Sequence, residues 1–203
     1  MEYIYYGMFT IIPCAAGCGR TAITGSQICA VHAANPETEA SRIVDQIQKK
    51  KTVKDLNAPG LHFKYADFSG RRFYGCNFRE SSFTECCFTG ALMRMVFFDF
   101  TRFLDCDFTK SDLQFLSFAG SRIHNCTFEG SELVHINYDG THITECTFNN
   151  SNLYNSRFIN ASIEYSDFIN CNTKRVNFIK ARREGVSFRS SNTAEAVFEP
   201  DTY

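Results

Sequence analysis

The chain has 203 residues, is 44% hydrophobic and carries a formal net charge of −1. One sizeable core is within reach, and no global field marks nucleic acid or an anionic membrane as the partner. No window holds the roughly 20 apolar residues a membrane helix needs. Met1–Pro13 lacks the basic lead and small-residue cleavage site of a secretory signal, and ten cysteines beside an ample core do not form the framework of a small secreted domain. The expectation is a cytoplasmic protein.

Residues 1–34 form the first segment. Cys14, Cys18, Cys29 and His32 follow the spacing C-x3-C-x10-C-x2-H, with Gly17, Gly19 and Gly25 in the turns. Two close ligand pairs joined by a short hairpin can set three thiolates and an imidazole around a tetrahedral Zn²⁺. Four protein ligands close the site, so the expected zinc is structural rather than catalytic. The Gly17, Cys18, Arg20, Cys29 and His32 pattern also resembles short bacterial zinc knuckles, which often accompany nucleic-acid-associated proteins.

Residues 35–60 read as a helix and a linker. Asn35 is the N-cap, Pro36 takes the first helical position, and Glu37 and Glu39 favour the positive end of the helix dipole. Ala40, Ile43, Val44 and Ile47 make one apolar stripe, expected to lie over the open end of the domain that follows. Lys49–Lys54 read as a solvated helix end, with phosphate contact as the alternative.

From residue 61 to 203 the chain keeps a period of five. Of the 28 positions from Phe63 to Phe198 taken every fifth residue, 25 are apolar and 17 are Phe; Thr173, Arg183 and Thr193 break the pattern. A helix would slip by ~140° per repeat and a strand would flip its face, so the chain must turn once per repeat. The position two before each beat is small or apolar, with Arg71 the large exception. Residues twenty apart choose the same side chain, as in Phe68, Phe88, Phe108, Phe128 and Phe148, or Cys86, Cys106, Cys126 and Cys146. Four repeats therefore make one four-sided coil, and about seven coils make a rod ~34 Å long. The cysteine column is read as core packing, and His62, His124, His135 and His142 as surface residues.

Ala66-Asp67-Phe68-Ser69-Gly70, Ser111-Asp112-Leu113 and Ser151-Asn152-Leu153 resemble the consensus Ala-Asp/Asn-Leu-x-x of the pentapeptide-repeat family. The resemblance covers about two-thirds of the chain. It implies an all-β solenoid, a right-handed quadrilateral β-helix, here preceded by a zinc-knuckle segment and one capping α-helix.

Function is then expected on the outer positions. Leu92, Met95, Phe97, Phe100, Leu104 and Phe115 are predicted to face outward as an interaction surface. Too few residues follow Phe198 for a capping helix, so a homodimer is expected through the C-terminal end or the Met95/Phe115 patch. From Asp99 to Glu145 eight acids face three bases, and from Lys174 to Arg189 six bases face one acid. The family includes quinolone-protective proteins thought to mimic duplex DNA and bind gyrase. That role, or nucleic-acid contact through the knuckle, is the alternative to the favoured reading, a non-enzymatic scaffold for an unidentified protein partner. No catalytic constellation stands out.

Overall fold

The computed structural model describes residues 4–6 and 9–198. An antiparallel pair, Ile4–Tyr6 with Phe9–Ile11, leads through the Ala30–His32 turn to helix α1, Pro36–Gln48. A parallel β-solenoid of about seven coils follows.

Each coil spends twenty residues on four sides. One side is a five-stranded sheet, from Thr52–Lys54 to Glu132–Val134. The opposite side is a seven-stranded sheet running from His62–Lys64 through Arg102–Leu104, Arg122–His124 and His142–Thr144 to Arg182–Glu184. The two sides between them are joined by single bridges such as Asn77↔Phe97 and Cys87↔Asp107. Every pairing is in register at twenty, as in Phe63↔Phe83↔Phe103.

Two local devices turn the chain every five residues. The residue two past each beat sits in the left-handed region, whether glycine (Gly120, φ 65°), asparagine (Asn150, 60°) or a bulky side chain (Phe100, 57°). The residue before the beat is often Asp or Asn, and its side-chain oxygen accepts the N–H two residues on. Asp67 Oδ1 accepts from Ser69 N at 2.9 Å and Asp107 Oδ1 from Thr109 N at 2.7 Å.

The small inward position does more than save space. Ser111 Oγ donates to the Phe88 carbonyl at 2.8 Å, and where a hydroxyl lies in the next coil it accepts the N–H of the small residue before it: Ser111 N donates to Ser131 Oγ at 3.0 Å, and Ser131 N to Ser151 Oγ at 3.1 Å. The cysteine column does the same with sulfur. Cys106 Sγ donates to the Phe83 carbonyl at 3.5 Å, and Cys106 N donates to Cys126 Sγ at 3.4 Å. These thiols are free and buried, as is Cys76 on the opposite side of the coil, whose thiol burial pushes up to about 12.

The large inward positions form aromatic ladders. Phe88, Phe108, Phe128, Phe148 and Phe168 stack with centroids 4.5–4.8 Å apart, and neighbouring ladders meet edge-to-face. Tyr138 occupies a phenylalanine rung between Phe118 and Phe158, fully buried, and its hydroxyl has no partner. An orphaned buried hydroxyl costs about 1–3 kcal/mol. Tyr138→Phe is therefore expected to stabilise the protein by about that much, read as a higher denaturation midpoint.

The rod begins ten residues earlier than the phenylalanine beat. Thr52–Lys54 already pairs with Arg72–Tyr74, and Val53 and Ala58 fill the beat position, both buried. Residues 51–60 are thus the first half-coil rather than a linker. The beat goes small there because knuckle and helix side chains enter the same space: Ile23, Ala30, Ala40, Ile43 and Ile47 join one apolar cluster with Val53, Ala58 and Phe63. Asn35 caps α1, its Oδ1 accepting from Thr38 N at 3.0 Å, and the predicted stripe does close the end of the core.

At the other end the coils stay regular through Thr173, which is buried and binds Asn192 Oδ1 through its N–H and hydroxyl. Arg183 remains in register with Ile163, its guanidinium 4.7 Å from the centre of the Phe198 ring. Regularity yields at the Thr193–Glu195 turn, and residues 199–203, on which the expected C-terminal contact partly falls, lie outside the described residues.

Candidate metal centre

Two glycine turns and one helical turn build the ligand set. Gly17 and Gly19 take positive φ, Gly17 N donates to the Cys14 carbonyl, and Cys14 N donates to the Arg20 carbonyl, which folds Cys18 back beside Cys14. The Ile23–Ile28 turn around Gly25 returns the chain to Cys29. The turn at Ala30–His32 then lifts His32 over the thiols, with His32 N donating to the Cys29 carbonyl.

The sequence-predicted quartet converges: one donor atom from each of Cys14, Cys18, Cys29 and His32 lies within 4.8 Å of every other. Cys18 Sγ and Cys29 Sγ are 3.7 Å apart, and His32 Nδ1 is 3.6 Å from Cys14 Sγ and 3.4 Å from Cys29 Sγ. Tetrahedral zinc with its usual bond lengths sets S···S at ~3.8 Å and S···N at ~3.6 Å, so the quartet matches that frame. A disulfide would hold two sulfurs at ~2.05 Å. Cys29 N donates to Cys14 Sγ at 3.4 Å, an N–H that steadies a thiolate. The Arg20 backbone N–H holds the half-buried Cys18 thiol down at about 6, whereas burial raises Cys29.

The site is fastened to the rod. Thr24 N donates to the Asn57 carbonyl and Asn57 N to Thr24 Oγ1, both at 2.7 Å. Arg42 of α1 donates to the Thr24 carbonyl at 2.7 Å and pairs with Glu39.

The six outward apolar residues do not share one face. Five residues advance the chain by a quarter turn, so Met95 and Phe115 lie on one edge and Phe100 on the next. Phe97 lies between them, and Leu92 and Leu104 lie on opposite sheets. Phe100, Phe115 and Leu104 are exposed at 68%, 54% and 40%. Leu92, Met95 and Phe97 are half-buried, Phe97 beneath the Arg79 guanidinium at 4.5 Å. Phe115 stacks on His135 at 4.8 Å. Several acids of the middle coils are neutralised locally, through the pairs Arg79–Asp99, Arg94–Asp112 and Arg157–Asp139.

A cleft of about 740 Å³ runs between α1 and the first coils, with Glu37, Val44, Asp45, Tyr65 and the pair His62–Ser82 among its lining. His62 Nδ1 and Ser82 Oγ are 2.7 Å apart, a pairing that sequence spacing alone did not single out. Among the described residues no carboxylate orients that imidazole, so the pair lacks the third member of a hydrolytic triad.

Models of pentapeptide repeats match residues 62–94 (pentapeptide repeats, 8 copies) and residues 121–198 (pentapeptide repeat region), together more than half of the chain. The chain belongs to the pentapeptide-repeat family. No curated protein matches it. Among solved structures it is similar to HetL, a pentapeptide repeat protein involved in heterocyst differentiation regulation from the cyanobacterium Nostoc sp. strain PCC 7120. Identity there is 12% over 80% of this chain and 97% of that one, with a TM-score of 0.41. It is also similar to QnrB1, a plasmid-mediated fluoroquinolone resistance protein, at 12% identity over 70% of this chain and 83% of that one, with a TM-score of 0.37. Among the described residues no helix is long and apolar enough to cross a membrane.

Proposed function

We propose that this pentapeptide-repeat protein is a non-enzymatic scaffold for a protein partner, with a structural zinc at Cys14, Cys18, Cys29 and His32 holding its N-terminal cap. One observation carries the scaffold reading. Phe100 and Phe115 stand at corners with φ of 57° and 58°, where a bulky L side chain is strained, and both are exposed. Gly and Asn serve many of the other corners and charged side chains most of the rest; Phe100 and Phe115 are the two corners that carry a phenylalanine. Strained, solvent-facing aromatics that contribute little to the core point to contact with another molecule. The local ion pairs of the acidic stretch favour a protein partner over mimicry of duplex DNA.

Self-association through the last coil, where Val186, Phe188 and Phe198 are half-buried, is a second arrangement of the same scaffold. The test is Phe115→Asn and Phe100→Gly. Each is expected to leave stability unchanged or raise it by up to ~1 kcal/mol, because corner strain is relieved. Together they should weaken a partner recovered by crosslinking to the intact chain. Partner binding that is indifferent to both would count against the reading.

A further inference from the structure

We propose that the outer face of the seven-stranded sheet docks an acidic protein segment, one that sets at least two carboxylates beside an apolar side chain. This inference rests on the scaffold reading and names the chemistry of its partner.

The observation is a column of basic side chains with no carboxylate paired to it among the described residues. Arg102, Arg122 and His142 are paired in register on successive strands, all exposed and pointing away from the core. Their spacing is one strand, so the column covers roughly 10 Å. Among the described residues none of the three side chains makes an ion pair or a hydrogen bond, whereas Arg79, Arg94 and Arg157 on other sides each hold a carboxylate. Like charges directly opposed across a ladder are unfavourable. Arg102 and Arg122 face each other across the ladder with no described carboxylate paired to either, so an anion from outside is the missing element.

The surroundings choose the class of anion. Beside the column stand Phe100, whose ring lies over Gly120 so closely that a Cβ there would come within 2.6 Å of it, and Leu104. They offer apolar contact on either side of Arg102. On the next corner Glu85, Asp105 and Glu145 follow one another every coil or two, and Asn125 Nδ2 holds Asp105 Oδ1 at 2.6 Å. A nucleic acid backbone is a long polyanion and would run onto these carboxylates. A short peptide places two carboxylates on the arginines and an apolar residue on Phe100 or Leu104 without reaching that corner. Charge complementarity in a strip of this length therefore favours a peptide.

The experiment is selection of a randomised displayed-peptide library on the full chain, followed by affinity measurement of selected peptides on variants. The expected result is enrichment in Asp and Glu with an apolar neighbour. Affinity should fall at least about tenfold in R102E/R122E and with added salt. It should fall less in Arg122→Gln, and stay unchanged in Arg72→Glu on the opposite sheet. Circular dichroism of each variant confirms that the rod is intact. Three outcomes overturn the inference: selected peptides without acidic enrichment, acidic peptides indifferent to R102E/R122E, or a single-stranded oligonucleotide or second copy of the chain whose binding that double variant removes. If selected peptides bind instead through Phe115, only this inference falls. If no surface of the chain retains any peptide or protein, the scaffold reading falls with it.

Discussion

Cys29→Ser is expected to abolish zinc binding and release the N-terminal cap while leaving the middle of the rod wound. Cys29 is buried and the best connected of the four candidate ligands, touching Cys14 through its N–H and both Cys18 and His32 through its sulfur. Structural zinc in comparable small sites supplies about 10–16 kcal/mol of apparent binding energy, which is also the folding energy of the segment that holds it. Residues 9–34 bury few apolar groups of their own, so without the metal they keep the packing of Ile23 and Ala30 and the latches through Thr24–Asn57, Arg42 and Thr10 with Asp55 and Asn57. A solenoid couples each coil to its neighbours alone, so the loss spreads inward from the cap and fades. Hydrogen exchange should show faster exchange from residue 9 to about residue 66 and unchanged protection at residues 100–170. Uniform loss of protection would mean that the cap and the rod form one cooperative unit.

Phe128→Ala is the second large effect, and its pattern is the reverse. Phe128 is fully buried between Phe108 and Phe148 in one ladder and meets Phe118 and Tyr138 edge-to-face. Truncating such a ring costs about 3–5 kcal/mol from lost transfer energy and the cavity left behind. Parallel stacking gives the hole no route to close, because the backbone of each coil is fixed by the coils above and below. The loss is expected in the middle of the rod, with the denaturation transition broadened or split into two as the halves uncouple. A single sharp transition shifted by less than ~1 kcal/mol would show that the core relaxes around the gap.

The fold was largely written in the beat. A period of five with identity at twenty leaves few alternatives to a four-sided coil, and the ladders stack as that spacing requires. The first half-coil was hidden because Val53 and Ala58 are not phenylalanine, and their small size makes sense only once Ile23 and Ala30 are seen to share their space. The cysteine column looked like packing alone. Its sulfurs also satisfy backbone carbonyls and N–H groups of adjacent coils, a role visible only when the corner geometry is known. The convergence of Cys14, Cys18, Cys29 and His32 was legible from spacing, because glycine turns and a Cys-x-x-His helical turn have little freedom in where they place a side chain. The outer faces were not. Residues close in sequence, such as Phe97, Phe100 and Leu104, land on different sides, whereas Arg102, Arg122 and His142 come together at a separation of twenty.

Native mass spectrometry of the full chain, purified without added metal and compared with a chelated sample, tests the central claim most directly. The account predicts one zinc per chain, lost on chelation together with the exchange protection of residues 51–60. A metal-free chain that keeps those amides protected would contradict it, and would leave the cap held by apolar packing and its hydrogen bonds to α1 and the first half-coil.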